Sequence, residues 1–228
     1  LAAGVLVPCL VIMRIFKVGF LRSLQAWLPT LVPSGASVLW AFLVLRPFVG
    51  ETFVSPTNAM APTLLGNHLR GRCPECGQAS FCSPVDAWYA PPDPVQMICG
   101  SFHVNRIPDA SRRVFLPDRF LVAKFLSPKR WDVVVFQYPG NPSTLFLMRV
   151  VGLPGETIHI EGGAVWVNGN ELVPPDVLRG ITYVSEITAW PRHLWGVKQH
   201  PAVLGRDEYF VLGDFSPQAN DSRLWEQG

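Results

Sequence analysis

The sequence predicts a mainly β fold, an antiparallel coiled sheet or partial barrel, behind one or more N-terminal transmembrane helices. Three observations lead there. Apolar residues make up 49% of the 228 residues and charged ones only 16%, with a mean hydropathy of +0.24. Soluble domains carry about 25% charged residues, so part of this chain is suited to lipid. The 22 prolines and 19 glycines favour short strands and many turns over a helical bundle. Short runs rich in Val, Ile, Phe and Tyr alternate with turn residues through the second half. The net charge of +2 is too small for a nucleic-acid-binding surface, and no nucleic-acid partner is expected.

The length fits one medium domain with appendages. Leu1 is not an initiator methionine and Gly228 follows a motif-like run, so the sequence reads as a fragment cut at both ends. Residues 1–13, LAAGVLVPCLVIM, are apolar but short of the ~20 residues of a full span. They read as the tail of a truncated transmembrane helix, a signal-anchor remnant or a buried helix. Residues 28–49, LPTLVPSGASVLWAFLVLRPFV, make a better span, with Arg46 near enough to the end to snorkel. A buried core helix is the alternative, and Pro29, Pro33 and Gly35 weaken the first turns. Arg14, Lys17 and Arg22 form a short basic loop that prefers the cytoplasm. Residues 1–49 are therefore expected to be an anchor in the lipid of the cell membrane, with everything after residue 50 extracytoplasmic.

The β body is read over 50–65 and 118–228. Its strands are FLVAKFL (120–126), DVVVFQY (132–138), LFLMRVVG (145–152), ETIHI (156–160), GAVWVNG (163–169) and DEYFVLG (207–213), punctuated by SPKRW, PGNPS, LPG and EGG. Residues 66–117 differ in character and are read as a cysteine-containing insert. Cys73-Pro-Glu-Cys76-Gly is the turn of a zinc knuckle, which aims two thiolates at one tetrahedral ion. Cys99-Gly100 resembles the end of a second knuckle, but Gln96 stands where its first cysteine belongs. Cys82 or His103 can supply the fourth ligand. One structural zinc, a disulfide such as Cys73–Cys76, and a knuckle without metal all stay open. His159, His193 and His200 have no ligand-like spacing.

Four blocks carry a family resemblance: SPTNAMAPTL (55–64), DRFLVAKF with KRWDVVVFQYPG (118–140), LMRVVGLPGETI (147–158) and LGDFSPQANDSR (212–223). In order and spacing they resemble type I signal peptidase, the membrane-anchored Ser–Lys protease that removes signal peptides from exported proteins. The resemblance implies that family's β fold, a chemistry that uses no cofactor, and signal peptides or other extended peptides as partners. In the family's S-M-x-P-T-L box, Met60, Ala61, Pro62, Thr63 and Leu64 match, while the nucleophile's position holds Ala59. In K-R-x-V-G-L-P-G, Arg149 through Gly155 match, and the general-base position holds Met148. The serine that orients the lysine is replaced by Ala219, although Asp221, Ser222 and Arg223 remain. Phe215 stands where asparagine is usual.

A serine hydroxyl needs a base within hydrogen-bond reach, and a lysine serves only when apolar neighbours desolvate its ammonium. Phe146, Met148 and Val150 share one face of a predicted strand, so the apolar setting is kept and the amine is gone. Alanine has no group to acylate, and a thioether takes no proton near neutral pH. Losing a serine together with its lysine leaves no unpaired buried charge, so the site can repack as core. Three changes together fit coordinated natural loss better than a single inactivating mutation. No catalytic residue is expected to be intact. Peptide binding falls to Thr57, Ala59, Met60 and Pro62: the Thr57 hydroxyl and the Ala59 N–H can bond a peptide carbonyl. Arg149, Asp214, Asp221 and Arg223 are expected to be scaffold ion pairs and turn caps. The leading reading is a signal-peptidase-like pseudoenzyme. The alternatives are a working serine endopeptidase with a relocated dyad (Ser55, Thr57 or Thr63 with Lys124) and a membrane-tethered zinc-ribbon interaction module.

Overall fold

The computed structural model describes residues 2–84, 95–107, 113–186 and 194–225; parts of the expected insert (85–94 and 108–112) and His193 lie outside them. The chain divides into two compact units. The first runs to Glu51 and takes in Ala123–Phe125. It contains α1 (Ala2–Phe16), α2 (Phe20–Trp27), a 3-10 turn Leu28–Thr30, α3 (Leu31–Trp40) and a π-helical stretch Ala41–Val49. The elements from Phe20 to Val49 form one run of 30 residues, long and apolar enough to cross a membrane by length and composition. Pro29 and Pro33 do not interrupt it. Pro29 lies in the 3-10 turn and Pro33 is the third residue of α3, and the flanking Trp27, Thr30 and Leu31 keep right-handed helical backbone. Within this unit Glu51 accepts from Arg46 Nε at 2.7 Å and from Lys124 Nζ at 2.7 Å. Lys124 foremost, then Arg46, holds the Glu51 carboxyl below its ordinary range.

The second unit, Thr52–Val122 with everything from Leu126, is mainly β. Strands β1 (Gly50–Val54) and β6 (Arg119–Ala123) make a small sheet in which Phe53 stacks on Phe120. Between them lies a four-stranded antiparallel sheet in the order β2 (Leu69–Arg72), β3 (Ala79–Cys82), β4 (Val95–Cys99), β5 (Val104–Ile107). A three-stranded sheet follows, with β8 (Asn141–Gly152) between β7 (Val133–Tyr138) and β13 (Phe210–Leu212). The last sheet has the order β11 (Asn170–Glu171), β10 (Ala164–Val167), β9 (Thr157–Glu161), β12 (Ala202–Val203).

Turn chemistry sets these registers. Gly162 and Gly163 (φ +60° and +85°) close the β9–β10 hairpin, and Asn168-Gly169 (φ +50° and +83°) the β10–β11 hairpin. Two successive positive φ values are what a tight two-residue hairpin needs, and Gly and Asn tolerate them best. The PGNPS segment is shorter as a turn than the sequence implies. Only Pro139 and Gly140 turn, and Asn141 already pairs with Tyr138. The register shift between Gln137 and Tyr138 absorbs three extra residues, Pro142, Ser143 and Thr144, so β8 starts four residues before Leu145.

The main core gathers Ile158, Ile160, Val165, Leu204, Phe210, Leu212 and Phe215. Ile98 and Phe102 from the insert lie in the same cluster, with Val104 packed against it. A second cluster holds Met60, Leu147, Met148, Val150 and Val211, and a third, beneath the insert's sheet, Leu69, Cys82, Met97 and Ile107.

Gly152, at the end of β8, lies where the main core leaves no room for a side chain. A Cβ there would sit 2.7 Å from Phe210 Cβ and 2.8 Å from both Ile158 Cγ1 and Leu204 Cδ1. Overpacking of this kind costs about 1–3 kcal/mol. Gly152→Ala is therefore expected to lower stability by that amount, read as a lower unfolding midpoint of the detergent-solubilised chain; an unchanged midpoint would show that the core can yield there.

Candidate functional site

The loop leaving β1 is tied at both ends to Asp118, just before β6. The Ser55 N–H donates to the Asp118 carbonyl (3.0 Å), the Leu65 N–H to the Asp118 carboxylate (2.8 Å), and the Asp118 N–H to the Leu65 carbonyl (2.8 Å). Inside the loop, Asn58 supplies the bracing. Its Nδ2 donates to the Asn67 carbonyl (2.8 Å) and to Ser83 Oγ (3.1 Å), and its Oδ1 accepts from the Gly66 N–H (2.9 Å). Gly66 allows this because a Cβ would lie 2.7 Å from the Thr57 carbonyl carbon. Sequence reasoning missed both Asn58 and Asp118. An Asn inside a Pro- and Thr-rich turn was the available signal, since its side chain can replace backbone partners.

The loop presents Ala59, half-buried, beside the fully buried Met60. The Ala59 N–H makes a long contact of 3.4 Å to Thr57 Oγ1, and Thr57 itself is exposed. The Ala59 carbonyl accepts from the Phe215 N–H at 2.9 Å. Met148 lies in β8 opposite Val134 and is 3% exposed. It shares its cluster with Met60, Val150 and Val211, and Ala59, Phe136 and Phe146 pack against that cluster. Ala219 is also 3% exposed. Gly213 sits between it and the loop: a Cβ on Gly213 would lie 2.4 Å from Ala219 Cβ and 2.7 Å from the Ala59 carbonyl oxygen. Ala59 thus meets Met148's cluster on one side and the Gly213–Ala219 turn on the other. Pro62 is half-buried in the same loop.

Two buried ion pairs flank these positions. Arg149 Nε and Nη2 donate to the two oxygens of Asp214 at 2.7 and 2.6 Å, and Nη1 donates to the Trp131 carbonyl at 2.7 Å. Thr63 Oγ1 donates to Asp214 and accepts from Arg149 Nη2 at 3.2 Å. Burial works against the Arg149 cation, but hydrogen bonds and charge from Asp214 outweigh it and raise its pKa. Arg223 Nε and Nη2 donate to Asp221 at 2.8 and 2.7 Å. Its remaining N–H groups reach the Val184 carbonyl (2.7 Å), Ser216 Oγ (2.9 Å) and the Ser216 carbonyl (2.7 Å). Asp221 also accepts from the Gly213 N–H at 3.1 Å, and Ser222 Oγ from the Val211 N–H at 3.0 Å. Tyr183 is buried nearby, and its hydroxyl has no hydrogen-bond partner among the described residues. Burial first, and Asp214 second, drive its pKa well above the usual value.

Two of the three hydroxyls named for a relocated dyad, and its lysine, are engaged otherwise; Thr57 is the exception. Ser55 Oγ donates to the Thr57 carbonyl at 3.1 Å, Thr63 lies in the Arg149–Asp214 network, and Lys124 is paired with Glu51.

In the insert, the ligand atoms of Cys73, Cys76, Cys99 and His103 all lie within 4.8 Å of one another. The fourth member is His103; Cys82 lies in the small core beneath the sheet. The register differs from the expected one. Cys99 ends β4 and opens a turn that His103 closes, while Gln96 sits inside β4 opposite Arg106. The second knuckle thus follows Cys99 instead of preceding it. Burial would raise the Cys73 thiol, but N–H groups of Cys76 and Glu75, with His103 and Cys76 side chains, bring it down to about 6. Burial pushes Cys99 up to about 11, and contact with Cys73 foremost raises the His103 imidazole.

The family described as Signal peptidase, peptidase S26, matches residues 96–228, which include Met148 and Ala219 and begin beyond the Ala59 loop. The chain belongs to this family. It is 30% identical over 216 residues to the signal peptidase I of Pseudomonas aeruginosa, covering 86% of this chain and 64% of that one. It is 35% identical over 119 residues to the signal peptidase I of Leptolyngbya laminosa, covering 47% of this chain and 52% of that one. A solved signal peptidase I from Enterococcus faecalis is 27% identical, covers 43% of this chain and 86% of its own, and superposes with a TM-score of 0.32. The chain therefore spans less than two thirds of the length of these first two relatives.

The Arg223–Asp221 pair generates a test. Truncating one member of a buried pair costs about 3–5 kcal/mol, because the other charge is left uncompensated. Arg223→Met should lower stability by that amount, and adding Asp221→Asn should recover part of it. Thermal unfolding of the two variants checks this coupling; additive losses would show that the pair acts as two independent residues.

Proposed function

We propose that this chain is a signal-peptidase-like membrane protein that keeps the peptide-presenting loop and lacks the Ser–Lys chemistry. One observation supports this above the others: Ala59, Met148 and Ala219, the positions of nucleophile, base and orienting serine, are all apolar and close-packed, two of them 3% exposed. A hydrolysis through a serine needs an oxygen to acylate and a base to take its proton. This loop offers a methyl group facing a thioether cluster. What it retains is an N–H at Ala59 with the Thr57 hydroxyl beside it, donors suited to a peptide carbonyl. An extended signal peptide or similar segment would add to a sheet edge there, held by main-chain hydrogen bonds. The helical run Phe20–Val49 would hold the β unit at the membrane on the extracytoplasmic side. The relocated-dyad reading is weaker, because the Ser55 and Thr63 hydroxyls donate to carbonyl or carboxylate oxygens and Lys124 pairs with Glu51.

The test is cleavage of an exported precursor by the unmodified chain, by Ala59→Ser, by Met148→Lys, by the double variant and by the triple variant with Ala219→Ser. The unmodified chain and both single variants should be silent. Met148→Lys alone should also lose about 3–5 kcal/mol of stability, from a buried cation without partners. Only the double and triple variants should cleave, with effects far from additive. Robust cleavage by the unmodified chain would overturn the reading.

Topology gives a separate test. Protease added to intact spheroplasts should remove the β unit; protection until lysis would place it in the cytoplasm.

A further inference from the structure

We propose that Cys73, Cys76, Cys99 and His103 hold one zinc ion as a closed structural site. The reading is independent of whether the protein cleaves peptides.

Two of the six ligand-atom separations match a tetrahedron, and all six lie within 4.8 Å. Zn–S bonds of ~2.3 Å and Zn–N bonds of ~2.0 Å put neighbouring ligand atoms about 3.5–3.8 Å apart. Cys76 Sγ and Cys99 Sγ are 3.6 Å apart, and Cys73 Sγ and His103 Nδ1 are 3.8 Å apart. The chemistry of the set is that of zinc: three thiols and an imidazole, with no carboxylate or carbonyl to favour a harder ion. Four protein ligands leave no open position for water or substrate, which is the mark of a structural site.

The two halves of the site are built alike. At the first turn, which joins β2 to β3, the Gly77 N–H donates to the Cys73 carbonyl (2.9 Å) and the Cys73 N–H to the Gln78 carbonyl (2.8 Å). At the second, which joins β4 to β5, the Phe102 N–H donates to the Cys99 carbonyl (2.9 Å) and the Cys99 N–H to the His103 carbonyl (3.1 Å). Each turn contains one residue in the left-handed region, Gly77 at φ +71° and Phe102 at φ +62°. Ser101 Oγ donates to Gln78 Oε1 at 3.2 Å and links one turn to the other. Outside the ligands, the Glu75 carboxylate lies 3.7 Å from His103 Nε2. At that distance the acid is an electrostatic neighbour of the ring nitrogen that faces away from Cys73, not a hydrogen-bond acceptor.

The ion would clamp the ends of both hairpins. Through them it would hold Phe102 in the main core and Ser83 against Asn58 under the Ala59 loop. Its task is to stiffen the support of that loop, with no part in bond cleavage.

The full chain, purified in detergent from zinc-supplied cells, should contain about one zinc, as expected of a four-coordinate structural site. Exchange with Co2+ should give the d–d bands of a tetrahedral ion and a thiolate-to-cobalt charge-transfer band. Cys76→Ser and His103→Ala should bring zinc per chain close to zero. His103→Cys should keep it, and so should Cys82→Ala, whose sulfur lies outside the cluster. The unmodified protein's cobalt spectrum needs no variant to fold. Absence of metal, with a disulfide mapped between any two of the three clustered cysteines, would overturn the proposal. So would loss of zinc in Cys82→Ala together with its retention in His103→Ala.

Discussion

The Arg149–Asp214 pair is the constraint on which the site region depends. Arg149 follows Met148 in β8, Asp214 opens the turn that contains Ala219, and Thr63 belongs to the Ala59 loop; all three meet in one hydrogen-bonded group. A guanidinium is planar and gives five N–H donors in fixed directions, so a two-point contact with a carboxylate fixes orientation as well as distance. Burial strengthens that control. A charge sealed away from water cannot exchange its partner for solvent, so the three segments hold their places or the pair breaks. Ala59, Met148 and Ala219 thus lie on three segments that this polar group holds close together.

The second pair extends the same scaffold. Arg223 satisfies Asp221, Ser216 and Val184, and Asp221 satisfies the Gly213 N–H. Gly213 has no room for a side chain, so the backbone there approaches both Ala59 and Ala219. Polar and apolar parts of the site therefore answer to different demands. The ion pairs must stay complete, because half a pair is costly. Ala59, Met148 and Ala219 carry no polar side-chain group that needs a partner, and they meet the demand of their surroundings by close packing.

Most of the β fold was legible in the sequence, because runs such as DVVVFQY and GAVWVNG combine β-branched and aromatic residues with glycine turns. EGG and NG gave hairpins whose φ values only Gly and Asn accept readily. What escaped was set by contacts distant in sequence. The insert showed as cysteines and not as four strands, since LRGR and ASFC are short and polar enough to pass for loop. CxxC spacing points to Gln96, upstream of Cys99. The chain uses a Cys-x3-His turn after it. Asp118 is unreadable for another reason: its partners Ser55 and Leu65 lie more than fifty residues away, and a side chain that braces backbone leaves no periodic trace.

Phe102 shows what it means for one residue to serve two masters. Its backbone is left-handed, where a side chain costs on the order of 1–2 kcal/mol over glycine. Its ring belongs to the main core, where emptying a phenylalanine site costs about 3–5 kcal/mol. Packing wins that contest, so glycine would relax the turn and still leave the protein worse off. The two demands also bind separate regions into one lineage. A change in the core that released the ring would free the turn to take glycine, and a change in the turn alone has nowhere to go. Over evolutionary time, the history of this small cysteine-bearing hairpin is written by the β core against which it rests.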